Sequence, residues 1–204
     1  MRLGVWQLDR LQQRRARNAG VQEARERAPL TLPARGLPPD SARQRRVVAR
    51  GAYDYARERL WRPRPHDGVV GVGLVTPLRL ADGSAVLVDR GWVPAPGGMP
   101  ADAAAYREGD SVVTVEGVAL PAPRALGDVD AVALADSVPY PLLPFVVQLL
   151  PDGAARSRLP LRVPPPALDD GPHLSYAFQW FSFAVIVLVG TAFLLRLDLT
   201  AAPR

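Results

Sequence analysis

The chain has 204 residues and a formal net charge of +5, and all 25 of its basic residues are arginine. It holds no cysteine, which excludes disulfides, thiolate metal sites and cysteine nucleophiles. The 22 prolines, 17 glycines and 48% hydrophobic content describe a folded, loop-rich chain of one domain, or one domain plus attachments, and not a disordered one.

Sixteen of the arginines fall within residues 1–64, so the charge is asymmetric. The opening stretch "LDRLQQRRARNAGVQEARER" is basic enough to suggest a nucleic-acid arm. Glu23 and Glu26 interrupt the basic run, however, and no aromatic side chains are interleaved for base stacking. A solvated helical face is the better reading, with attraction to a membrane surface left open.

"QRRVVARGAYDYARERLWRPR" has a composition compatible with a helix. The alternation of Val47, Ala49 and Gly51 and the closing prolines favour two strands around a turn at Asp54. From residue 65 to 172, short apolar runs are separated by Gly, Pro and Asp, the punctuation of antiparallel strands. "VVGVGLVTPLRL" and "AVLVDRGWVP" flank Asp82-Gly83, a hairpin turn in which glycine accepts positive φ. "SVVTVEGVAL" and "PFVVQLL" supply further strands. "LPLRVPPPALDDGP" is too proline-rich to continue a sheet and reads as an extended linker.

After the linker comes "HLSYAFQWFSFAVIVLVGTAFLLRLDL". Tyr176 to Leu195 gives about twenty residues without a formal charge, enough to cross a bilayer core. Tyr176 and Trp180 near one end and Arg196 at the other match an interfacial aromatic belt and a snorkelling cation. The predicted fold class is α+β, a β-rich antiparallel domain with a C-terminal transmembrane helix. Its organisation is residues 1–30 as the end of a first helix and an Arg-rich connector, 31–163 as the β-rich domain, 164–172 as the linker and 173–197 as the span.

No catalytic constellation is present, so the chain does not read as an enzyme. The two histidines, His66 and His173, supply a histidine metal site poorly. "GVVGVG" lacks dinucleotide-fingerprint spacing, a phosphate-binding loop with Gly-Lys-Ser/Thr cannot occur without lysine, and there is no nucleophile elbow.

Five segments occur in order: "LGVWQLDR" at the start, "GAYD" at 51–54, "RPR" at 62–64, "TPLRLADGSAVLVDRGWVP" at 76–94 and "HLSYAFQWFSFA" at 173–184. With them the chain resembles the Surfeit-locus family of cytochrome c oxidase assembly factors, as a bacterial member. One departure is Asp89, where family members commonly carry Asn before Arg-Gly-Trp. It affects a local hydrogen bond.

The resemblance implies a plasma-membrane protein with its β-rich domain on the extracytoplasmic side, assisting maturation of oxidase subunit I. It also implies heme a as cofactor, with the heme a synthesis machinery as a further partner and no nucleic acid. Family members have an apolar span just before the segment matched by Leu3 to Gln7. The start at Met1 therefore suggests either a misplaced initiation codon or a truncation. Export of the domain is expected, although the arginines after Trp6 would then lie outside, against the positive-inside preference.

His173, Tyr176, Ala177 and Trp180 follow i, i+3, i+4, i+7 spacing and would share one helix face. Such a face could receive a porphyrin, with His173 as axial ligand to the iron and Tyr176 and Trp180 against the macrocycle. Arg62, Arg64 or Arg90 could pair with the propionates. The alternative is an interfacial anchor in which His173 caps the helix and Tyr176 and Trp180 sit in the headgroups. His66 reads as a solvent-facing loop residue. Two functions stay open: a membrane-bound heme a chaperone, and a structural assembly factor that stabilises an oxidase intermediate by protein contacts without heme.

Overall fold

The computed structural model describes residues 2–34, 39–100, 102–109, 111–121, 129, 134–151 and 158–201. Two compact units emerge, one of residues 23–166 and one that joins residues 1–22 to 167–204. The first is a β domain. The second is built from two helices.

The β domain contains β1 (Leu30–Leu32), β2 (Arg46–Tyr53), β3 (Arg59–Trp61), β4 (Gly71–Leu80), β5 (Ala85–Pro94), β6 (Val113–Pro121) and β7 (Leu142–Leu149). Their order is β1-β2-β6-β7-β5-β4-β3, and a further pairing of β2 with β4 closes β2, β6, β7, β5 and β4 into a five-stranded barrel. The ladders are antiparallel as expected, apart from parallel pairing of β1 with β2 and of β5 with β7. Closure removes the sheet edges that an open domain of this size would expose.

Period-two patterning builds the interior. In β2, Val47, Ala49 and Gly51 point inward as their alternation foretold, and they join Leu78, Leu80, Val86, Val88, Val115, Phe145 and Val147 around one core. Gly51 stands at the seam, where β2 leaves β6 to pair with Leu80 of β4. A Cβ there would stand 2.2 Å from the Arg79 carbonyl oxygen, so a larger residue would hold the seam open. The turn at Asp54 follows β2, and the β4–β5 hairpin turns at Asp82-Gly83 with Gly83 at φ +84. Nearly every residue of β4 and β5 is buried on both faces. Val75, Leu87 and Val146 form one outer cluster, and Val72, Leu74 and Val93 another.

The start of the Pro-rich stretch, before the linker placed at 164–172, is tied to the β domain. Leu161 exchanges both backbone hydrogen bonds with Trp92, at 2.8 and 2.7 Å, and the Val163 carbonyl accepts from Gln148 Nε2 at 2.7 Å. A proline on either side of a residue does not remove that residue's own N–H, so a single bridge survives where a longer ladder could not.

In the helical unit, α1 (Arg2–Glu26) is one continuous helix and α2 runs from His173 to Ala201. The segment His173–Leu197 is long and apolar enough to cross a membrane, with mean hydropathy 2.1. Its side chains are correspondingly uncovered, Phe178 being 66% and Val187 65% exposed.

Candidate functional site

The buried residues of α1 are Gly4, Gln7 and Leu11. With the part-buried Arg14 and Asn18 they are spaced 3, 4, 3 and 4, a heptad seam. On α2 the matching row is His173, Ala177 and Phe181, at i, i+4 and i+8. The two helices meet along these rows. An added Cβ at Gly4 would lie 2.7 Å from the Phe181 ring, and Gln7 Oε1 lies 2.9 Å from His173 Nδ1. Ala177, between them on the row, is buried.

The turn leading into α2 is clamped from the same seam. Arg14 donates to the Asp169 carbonyl at 3.0 Å and to its carboxylate at 2.7 Å, and Asn18 donates to the same carbonyl at 2.7 Å. Arg15 pairs with Asp170 at 2.9 Å. Gly171, at φ +66, takes the left-handed conformation that ends the turn.

The imidazole of His173 is thereby set. Gln7 Oε1 can only accept, so this contact is a hydrogen bond when Nδ1 carries the proton, and in the neutral ring the lone pair then belongs to Nε2. A Cβ at Gly171 would stand 3.6 Å from Nε2 and 3.9 Å from Arg14 Cζ. The glycine leaves that edge of the ring uncovered by a side chain and leaves a cation beside it.

The sequence face is divided. His173 and Ala177 turn toward α1, whereas Tyr176 and Trp180 lie on the exposed flank at 46% and 38% exposure. Ala177 is taken up by helix packing, so the room beside the histidine comes from Gly171 instead. Gln7, Arg14 and Gly171 are site residues that the sequence reading missed. The signal for Gln7 and Arg14 was the 3-4-3-4 spacing, masked because the seam is mostly polar.

Arg62, Arg64 and Arg90 belong to the β domain, where each has a local contact. Arg64 pairs with Asp89 at 2.5 Å and lies over Trp61, with Cζ 4.9 Å from the ring centroid. Arg90 is fully buried, pairs with Glu58 at 2.8 Å, donates to the Tyr106 carbonyl and lies over the neighbouring rings of Tyr53 and Tyr55. Arg62 is exposed and reaches Met99 Sδ at 3.8 Å. The β4–β5 ladder is bulged at Arg90. Leu74 pairs with Gly91 and Val75 with Asp89, so Arg90 is the extra residue and its side chain is re-aimed. Burial pushes the Asp89 carboxyl above the ordinary range, and the Arg64 guanidinium pulls it back. His66 also differs from the solvent-facing loop residue expected. It bridges to Val69 and its ring packs 5.4 Å from that of Trp92.

Among the described residues no group of three or more His, Cys, Asp or Glu could enclose a metal ion. One oriented imidazole with an open flank of aromatic side chains suits a group that brings its own remaining ligands, as a metalloporphyrin does.

The SURF1 family model matches residues 1–185. The chain belongs to the SURF1 family. It is 29% identical to a SURF1-like protein of Monosiga brevicollis over 95% of this chain and 82% of the relative. Over 45% of each chain it is 32% identical to Surfeit locus protein 1 of Takifugu rubripes. SURF1 proteins are known as oxidase assembly factors, so the family supports an assembly role in general terms. The apolar helix α2 supports association with a membrane.

Proposed function

We propose that this SURF1-family chain is a membrane-anchored assembly factor for cytochrome c oxidase that binds heme a and assists its insertion into subunit I. It carries out no bond-making chemistry of its own, and it works beside the heme a synthesis machinery. Its β domain faces the extracytoplasmic side of a bacterial plasma membrane. The observation that carries the heme reading is His173, whose Nδ1 is engaged by Gln7 and against whose Nε2–Cδ2 edge Gly171 places no side chain.

Heme supplies an iron centre that accepts an axial nitrogen and an apolar macrocycle with two carboxylates. His173 offers the nitrogen, and Tyr176 and Trp180 offer aromatic surface on the exposed flank. Arg14, held by Asp169, adds a cation near the imidazole edge that suits a carboxylate. The arginines of the β domain, Arg62, Arg64 and Arg90, are engaged there with Met99, Asp89 and Glu58.

The test is the absorption spectrum of detergent-purified protein coexpressed with heme a synthesis. Wild type and His66→Ala are expected to carry heme, and His173→Ala to lose it while still inserting into membranes. Wild-type heme content in the His173 variant would overturn heme binding. The structural assembly reading would then take over, with Tyr176 and Trp180 as an interfacial belt. Capture of subunit I by the tagged protein tests the partner, and protease access to the β domain in spheroplasts tests the side.

A further inference from the structure

We infer that Gln7 is the positioning residue for His173: it holds the imidazole as the Nδ1–H tautomer and presents Nε2 as the ligating atom. This rests on the heme-binding reading and adds a residue to it.

The placement of an amide here calls for a reason. Gln7 is 9% exposed on a helix–helix seam, flanked one turn on by Leu11, and a leucine at position 7 would satisfy seam packing without any polar group to desolvate. A buried amide costs free energy unless it is hydrogen-bonded, and its acceptor meets a ring nitrogen 2.9 Å away from a residue 166 positions distant in sequence. Gly4, one turn earlier, lets the helices approach closely enough for that contact to form.

The consequence is specific to ligation. An imidazole without a partner distributes its proton between its two nitrogens and rotates about χ2, so only part of the population offers Nε2 in one direction. Apparent affinity falls with the competent fraction. A hydrogen bond at Nδ1 removes both freedoms, as second-shell acceptors do for metal-bound histidines. Arg14 and Asn18 hold the Asp169–Gly171 turn from the same helix, so the backbone that carries the ring is fixed as well.

The experiment compares full-length wild type, Gln7→Leu, Gln7→Glu and His173→Ala, each purified in detergent. In the heme-free proteins, 15N spectra of labelled histidine are expected to give His173 as the Nδ1–H tautomer in wild type and a mixture in Gln7→Leu. Titrated with heme a, Gln7→Leu is expected to bind about 10- to 100-fold more weakly with shifted absorption bands. Gln7→Glu, nearly isosteric and able to accept the same proton with a charge, should retain heme and lower the midpoint potential by favouring ferric iron. An unchanged tautomer, or wild-type affinity, bands and potential in Gln7→Leu, would overturn the role of Gln7 while loss of heme from His173→Ala left heme binding standing. If wild type binds no heme, or His173→Ala keeps it, the heme reading fails and takes this one with it.

Discussion

Arg90 has no exposed side-chain surface, and its guanidinium donates to Glu58 and to the Tyr106 carbonyl. Its partner Glu58 also accepts from Thr76 Oγ1 at 2.6 Å, so a single carboxylate joins β4 to β5 through two side chains. Removing one member of a buried pair leaves the other charge uncompensated, at about 3–5 kcal/mol. Arg90→Ala is therefore expected to lower the chemical-denaturation midpoint of the β domain sharply. A loss within about 0.5 kcal/mol, the range of ordinary surface substitutions, would show that the pair is not structural. Asp89 gives a prediction of another kind, because it titrates, although Asn can accept at only one of the two positions where Asp89 accepts from Arg64 and from the Gly91 N–H. Its folded-state pKa is raised by burial, so the proton-linked stability it contributes is present below its unfolded pKa and is lost as pH rises through the folded one. Asp89→Asn lacks this titration. The stability of Asp89→Asn relative to wild type is expected to improve as pH rises above the ordinary aspartate range, as followed by denaturant midpoints. A difference that stays flat with pH, or moves the other way, would count against a raised pKa.

At the scale of elements, the strands were legible where alternation or turn chemistry marks them, and the helix seam was not. Val47, Ala49 and Gly51 announced β2, and Asp82-Gly83 announced the β4–β5 hairpin, because period two and positive φ leave local traces. The seam of α1 carries Gln7, Arg14 and Asn18 in three of its five positions, so hydrophobic periodicity gave no signal and the segment read as a solvated arginine-rich face. The bulge at Arg90 was equally hidden, since one extra residue in a ladder depends on the partner strand. The seam makes its own prediction. Gly4→Leu should force the helices apart and cost about 1–3 kcal/mol by overpacking, because its first carbon already meets the Phe181 ring. Phe181→Ala in the same chain should restore much of that loss. Additive effects of the two substitutions on thermal unfolding of the helical signal would show that these residues do not touch.

For the whole molecule, the two units divide two kinds of work. The β domain closes on itself and pairs Arg64 and Arg90 with Asp89 and Glu58, whereas the helical unit places an imidazole held by Gln7 at the head of an apolar span. The side chains of that span are uncovered, Ile186 at 65% and Phe193 at 62%, and burial in lipid is the environment that suits them. Apolar burial does not depend on ionic strength, whereas attraction of the arginines of α1 to acidic headgroups is screened by salt. The full chain is accordingly expected to stay in the membrane pellet through both high-salt and alkaline washing. Val187→Arg, placing a charge near the middle of the span at about 2.5–3.5 kcal/mol on the insertion scale, should reduce the alkali-resistant fraction. Release of the wild-type chain by salt alone would mean that the arginines hold it at the surface and that α2 does not cross.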